Sequence, residues 1–419
     1  MVGVFFCTGA ICNALTTQRN EITCSCTDIN GAKFRLRNYR HCAQMKIQTV
    51  ATPTLDLLQI RPRLKRGAIV LSLSDSLIEG NRVFIGCNGS GIECEALGIK
   101  SIVTAFDGKK STQEIAEALA ISTEIVCEVI GQLLSAGLVD YLVTPIIAPG
   151  RFKEQDQSAD AGYIQLQSKI TPELSATTWI PGVIDGGVEV LTNRRLALIE
   201  ISGENRVATQ LYGLLLASGV TQTKMASASR RDRARIGNQD MCAGLLTSSD
   251  VGSNFQHTLE DKARELALFP NKDKSVAEDI PEVFLKIFIG NGHEALIAQS
   301  MSEDEIHLIV ASPDGPSIDV GPLVIPGKSA CSRCITLARS DQHLLSREID
   351  IFRSTHTELE IPVSISHFVA AQIASEILRF IDTKKSALIS ARVRTNYLDV
   401  CNPQHIRFAR HPLCGCSWR

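Results

Sequence analysis

Apolar positions along the chain first appear in short runs. Ala68-Ile69-Val70-Leu71 and Arg82-Val83-Phe84-Ile85 are each too short for a stable helix. Glu79-Gly80-Asn81 between them is turn chemistry, so two strands are expected. The period then changes. Ile99, Ile102, Val103 and Phe106 share one helical face, which Asp107-Gly108 ends. Ser111-Thr112-Gln113-Glu114 reads as a capping box, because its hydroxyl and carboxylate can satisfy amides left open at a helix start. It predicts a short helix through Leu119. A further helix from Ser122 puts Val126, Val129, Ile130, Leu133 and Leu134 on one face, and Gly137 fits the position just past its end. Leu138 to Val143 then reads as a closing strand. Strands, three helices and a strand predict a small winged-helix-like α+β domain over residues 61–145.

Residues 146–180 read as a linker, from Pro149-Gly150 and the polar run Lys153 to Ser158. Past it, Leu196 to Ile201 is an apolar run followed at once by Ser202-Gly203. A helix comes next, with Val207, Leu211, Leu214 and Leu215 on one face, ending at Ser218-Gly219. Thr223 to Ala228, Val283 to Ile289 and Ile306 to Val310 are further strands. A late helix, Ser366 to Asp382, repeats Ala370, Ala374, Ile377, Leu378 and Ile381 at helical spacing. Strands are then expected around Tyr397 to Asp399 and His405 to Phe408. Strands alternating with helices predict an α/β domain over residues 181–419, with a mostly parallel sheet covered by helices on both faces.

Composition narrows the class. With 419 residues, 44% hydrophobic and 21% charged, the chain suits two to three globular domains. A net charge of −2 gives no argument for nucleic acid or an anionic membrane. The helix from Ser122 carries Glu124 and Glu128 and no Lys or Arg, which disfavours DNA phosphates. A peptide added to a strand edge and a purely structural appendage remain the other uses of this domain. No apolar run reaches the roughly 18 residues of a membrane helix. Irregular spacing of most of the 14 cysteines suits a reducing cytoplasm. Val2 to Leu15 lacks the basic start of a secretory signal. Residues 1–60 read as a poorly defined extension. Cys7, Cys12, Cys24, Cys26 and Cys42 crowd its first part, where a second metal site is one reading. Met45 opens a more ordinary stretch, so an upstream extension or a loose tail is the other.

Two cysteine pairs carry the clearest chemistry. Cys331-Ser332-Arg333-Cys334 has the two-residue spacer of a metal-binding turn, and Cys414-Gly415-Cys416 is a tighter pair 80 residues on. Zinc takes four thiolates in a tetrahedron at about 2.3 Å. Such a set leaves no open position, so the site would be structural. A disulfide arrangement and four unrelated thiols stay open on sequence.

The order of these features resembles the ThiF-like, ubiquitin-activating-enzyme-like superfamily. More closely, Val320 to Cys334 and His411-Pro-Leu-Cys-Gly-Cys416 resemble actinobacterial bacteriocin or thiazole/oxazole cyclodehydratase-type proteins. The resemblance covers about residues 67–419. It implies a Rossmann-like ThiF-type domain with structural zinc, preceded by a peptide-recognition domain. It also implies an ATP loop of the form Gly-x-Gly-Gly-x-Gly after the first strand, where amides cradle phosphates. Aligned on Ala217-Ser218-Gly219-Val220, this chain offers Gly203-Glu204-Asn205-Arg206-Val207-Ala208. Only Gly203 is kept as a cofactor-binding candidate. Ser227 and Ser229 stand where the family has acidic residues, and Gly290-Asn291-Gly292-His293-Glu294 lacks the aspartate that holds magnesium. Arg230, Arg231, Arg233 and Arg235 are a basic loop, open to phosphate or to solvent. Cys242 and Cys401 lack a nucleophile motif, Asp250 carries over no role, and no catalytic residue is assigned. ATP is therefore a doubtful cofactor. The resemblance implies a scaffold for a precursor or leader peptide, partnered by a modifying enzyme and possible as a homodimer. An active ATP-dependent adenylating enzyme, acting on a protein or peptide carboxylate, is the alternative. A structural partner that binds no peptide is the third.

Overall fold

The computed structural model describes residues 4–7, 10–16, 22–27, 33–37, 57–73, 82–87, 90–95, 98–141, 157–226, 235–269, 283–355 and 359–418. The chain divides into two compact units, residues 1–147 with 171–189 and residues 148–170 with 190–419.

The first unit is built on an antiparallel sheet. Strands β1 (Val4–Cys7), β2 (Ala10–Thr16), β3 (Ile22–Thr27) and β4 (Lys33–Arg37) occupy the stretch expected to be poorly defined. A two-residue strand, β5 (Arg63–Leu64), precedes β6 (Ile69–Leu73), β7 (Arg82–Cys87) and β8 (Ser90–Glu95). The seven-stranded order is β1-β2-β3-β4-β8-β7-β6, which leaves β6 at an edge. The side chains of Cys7, Cys12, Cys24, Cys26 and Cys42 lie outside the described residues. Helices α1 (Ile99–Thr104), α2 (Thr112–Leu119) and α3 (Thr123–Ser135) follow, as the apolar spacing predicts. The capping box is made on both sides: Glu114 N donates to Ser111 Oγ at 3.2 Å, and Ser111 N to Glu114 Oε2 at 2.6 Å. Ile85 and Ile92 of the sheet bury against Ile99, Ile115, Val126 and Ile130. Gly137 leaves α3 at φ +67°, and β9 (Val139–Asp140) pairs with β5.

The stretch expected as a linker contains a helix, α4 (Gln157–Thr177). It escaped prediction because it carries Pro172 and no clear apolar stripe. A second unpredicted helix, α5 (Val188–Leu196), takes up Leu196, which was expected to open a strand.

The second unit holds a seven-stranded sheet ordered β11-β10-β12-β13-β14-β15-β16. Its strands are β10 (Leu198–Ser202), β11 (Gln222–Met225), β12 (Leu285–Ile289), β13 (His307–Val310), β14 (Ser317–Val324), β15 (Ala391–Asn396) and β16 (Asp399–Arg407). From β11 to β13 neighbours are parallel, with α6 (Arg206–Ala217) crossing from β10 to β11. From β13 to β16 they are antiparallel. The sheet is therefore mixed, correcting the mostly parallel expectation. Tyr397-Leu398 is the turn between β15 and β16 rather than a strand, and Leu398 is 86% exposed there. One face of the sheet packs on α6, α7 (Phe255–Leu266) and the late helix α11 (Val363–Thr383), with Ile199, Ile201, Leu211, Ile287, Val369 and Ile373 fully or almost fully buried. The other face sets Glu200, Lys224 and Lys286 toward α8 (Glu294–Ser302). No helix among the described residues is long and apolar enough to cross a membrane.

Candidate metal centre

The two cysteine pairs come together. After β14, Ser329 fastens the following loop by accepting from Ile325 N at 2.7 Å, and Ala330 N donates to Ser390 Oγ at 2.9 Å. Cys331 then caps α9 (Ser332–Gln342), and Cys334 sits in its first turn. The second pair arrives from β16, with Cys414 just ahead of the final turn Gly415–Trp418. Cys331 Sγ lies 3.7 Å from Cys334, 3.6 Å from Cys414 and 3.6 Å from Cys416, and Cys334 lies 3.2 Å from Cys416. A tetrahedron of Zn–S bonds of about 2.3 Å has sulfurs about 3.8 Å apart. The observed spacings fit that ion, and all four residues are free thiols. Cys331, Cys334 and Cys414 are buried, with Val324 and Ala330 packed beside them.

Proton affinities within the set diverge. Burial pushes the Cys331 and Cys416 thiols up. Burial also pushes on Cys334, but the His411 N–H, 3.3 Å from its sulfur, and the neighbouring thiols outweigh it and bring Cys334 down to about 7. The more readily ionised sulfur of the set is its readier ligand, since metals bind the thiolate.

The loop between β10 and α6 carries Gly203 and Asn205. A Cβ on Gly203 would stand 2.9 Å from Ile289 Cβ and 2.9 Å from Ile289 O, so this glycine permits close approach to the end of β12. Asn205 caps α6, its Oδ1 accepting from Val207 N at 3.1 Å and Ala208 N at 3.2 Å. Arg206 turns away to donate to Met241 O and Ile361 O, each at 2.9 Å. Of the other expected positions, His293 meets the same carbonyl, Ile289 O, that Gly203 approaches. Ser227, Ser229, Arg230, Arg231 and Arg233 lie outside the described residues. Arg235 donates to Gly252 O. His293 precedes α8, with Nε2 3.2 Å from Ile289 O. Asp250 is buried, yet Lys262 and the Thr247 amide and hydroxyl hold its carboxyl below the usual range. Cys242 is buried and Cys401 exposed, in separate places.

Sequence reading missed three groups around the metal set: Asp341, Arg410 and His411. Their signal was faint, a basic pair just ahead of the last cysteines. It also missed a cavity of about 310 Å³ on the second sheet face, lined by Glu200, Ser202, Lys224, Lys286 and Phe288. Its charges are paired: Lys224 to Glu200 at 3.2 Å and Lys286 to Glu305 at 2.6 Å. Alternation of charged with apolar residues along β10 and β12 was the available sign.

No family model matches the chain, and no curated protein does. Solved structures do. Escherichia coli MccB with MccA-N7isoASN is 15% identical, with a TM-score of 0.54, over 85% of this chain and 99% of that one. The likeness is one of fold. MccB, described as a microcin C7 biosynthetic enzyme, is also similar in its complex with N-formylated MccA, at 15% identity and a TM-score of 0.53 over the same shares. The heterocyclase TruD is 12% identical with a TM-score of 0.50, over 85% of this chain and 43% of that one.

Proposed function

We propose that this chain binds a ribosomally made peptide and serves as a scaffold for its modification, with one structural zinc ion on Cys331, Cys334, Cys414 and Cys416. The observation that carries the scaffold reading is Asn205. A nucleotide loop uses free amides at a helix start to hold phosphate. Here the Asn205 side chain accepts from two of those amides, and Gly203 is committed to packing against Ile289. Glu204 adds a carboxylate next to them. This supports a ThiF-like body whose nucleotide loop has eroded.

The peptide reading draws on the fold shared with MccB, solved with MccA, and on β6. That edge strand leaves Ile69 53% and Leu71 50% exposed, while Val70 between them packs on the core. An added strand would pair with its backbone and cover both side chains. In this reading the first unit holds the recognition domain and the second is the ThiF-like domain. A peptide-modifying enzyme is the second partner.

A second reading, ATP-dependent adenylation of a peptide carboxylate, has one observation in its favour: MccB of this fold was also solved with ATP. Calorimetry of the full chain with Mg-ATP, combined with pyrophosphate exchange, separates the two. The scaffold reading expects neither heat nor exchange. Micromolar binding with exchange would replace it by the enzyme.

A further inference from the structure

We infer that His411 and Arg410 are positioning residues that preassemble the second cysteine pair, and so govern how firmly the chain keeps its metal. The inference rests on the zinc reading of the four cysteines.

The difficulty these residues meet is physical. A tetrathiolate site needs all four sulfurs at once, yet Cys414 precedes and Cys416 sits in one short turn, Gly415–Trp418, rather than a long helix or strand. Ordering such a segment costs conformational entropy, on the order of 1–2 kcal/mol per residue for the backbone. Contacts made without the metal lower that cost at the moment of binding.

His411 makes four of them. Its N–H donates to Cys334 Sγ at 3.3 Å, which ties the second pair's loop to the first pair. Its carbonyl accepts from Cys414 N at 2.9 Å and closes the turn that presents Cys414. Its Nδ1 accepts from Leu413 N at 3.2 Å. That bond places the ring proton on Nε2, which lies 2.9 Å from Asp341 Oδ2 and donates to it. Asp341 stands on α9, the helix that begins at Cys331. One imidazole therefore fixes the turn carrying Cys414 against the helix carrying Cys334.

Arg410 forms the other arm. Nη1 donates to Gly327 O at 2.9 Å, in the loop leading to Cys331, and Nη2 to Cys416 O. A planar fork can hold two carbonyls in fixed relation, which a lysine cannot.

The test uses the full chain purified without added metal. Zinc content is measured by elemental analysis, and loss by transfer to a coloured chelator, for wild type, His411→Ala, Asp341→Ala, their double variant and Arg410→Lys. Second-layer partners of metal ligands typically contribute roughly ten- to a hundred-fold in affinity. We expect His411→Ala to release zinc at least about ten-fold faster. Asp341→Ala should release it faster by a smaller factor. Because Asp341 acts through the ring, the double variant should match His411→Ala alone, a non-additivity that general destabilisation would not produce. If His411→Ala fails to fold, Asp341→Ala carries the test, since that side chain is 67% exposed. Wild type with one zinc, but variants that release it at the wild-type rate, would overturn the clamp and leave the metal reading standing. Folded wild type without zinc would overturn both.

Discussion

At the scale of single residues, Cys414 and Asn205 give the proposed zinc site and the proposed loss of ATP binding their direct tests. Cys414 is 2% exposed, and its Sγ lies 3.6 Å from Cys331 Sγ in the four-cysteine cluster that could hold a metal ion. Replacing it by serine leaves three thiolates and a poor zinc ligand. Because binding to such a site is coupled to folding, Cys414→Ser should lower metal content and melting temperature together. Elemental analysis beside a thermal melt checks this, and a variant that keeps a full complement of zinc would contradict the tetrathiolate set. Asn205 makes a different prediction. Its cap is of the kind worth about 1 kcal/mol to a helix, and in the scaffold reading the same oxygen takes the Val207 and Ala208 amides that a phosphate would need. Asn205→Ala should destabilise the second unit by about that amount in a denaturant titration. It should not create ATP binding, because Glu204 and the packed Gly203 remain. Calorimetric heat with Mg-ATP in Asn205→Ala would show that the asparagine alone had closed the site.

Among elements, legibility followed periodicity. α2 and α3 were readable because one apolar stripe and one capping box agree with burial against a single sheet. α6 was readable from Val207, Leu211 and Leu215, all of which bury completely. β14 was not, since Gly321-Pro322 in its middle resembles a loop. A Cβ at Gly321, φ +102°, would stand 2.4 Å from Ala391 O, so this glycine exists for strand contact with β15. β16 was only half seen because it lies at the sheet edge, exposed along nearly its whole length, and shows no alternation. Of the candidate site, the four cysteines were legible from spacing, whereas Asp341 lies 70 residues from His411 and only the fold joins them. The boundary of the first unit was also hidden. Lys65, 4% exposed, donates to Thr178 O and to Val183 O at 2.8 Å, and lies 3.8 Å from Asp140. Asp140 accepts from Thr178 Oγ1 at 2.9 Å, and Tyr141 N donates to Ile184 O. Residues 178–187 thus complete the polar centre of that unit. Removing one partner of a buried pair leaves a charge uncompensated, a loss of about 3–5 kcal/mol. Asp140→Ala should show it in chemical denaturation, while Lys65→Met with Asp140→Leu should recover most of it. A single variant as stable as wild type would mean that the pair is not closed from water.

On the scale of the whole molecule, the proposal that the first unit captures a peptide makes a prediction about salt. The chain's charge is −2, and α3 carries Glu124 and Glu128 and no Lys or Arg to offer a phosphate. The exposed edge of β6 offers main-chain groups and two half-exposed aliphatic side chains. Binding by strand addition draws on hydrogen bonds and apolar burial, neither of which releases counterions. Affinity for a peptide should therefore change little between 50 and 200 mM salt, whereas contacts to several phosphates would lose roughly 10³-fold or more over that range. The full chain, titrated with an encoded precursor peptide and separately with duplex DNA at both salt concentrations, tests the point. Leu71→Lys gives the internal control: it places a charge on the edge strand, where lysine is a known block to strand addition, and is half exposed, so the fold should tolerate it. Peptide binding that is salt-insensitive in wild type and lost in Leu71→Lys would support capture at β6. Salt-sensitive DNA binding without peptide binding would reassign the first unit, because a partner held by phosphates has no use for an aliphatic strand edge.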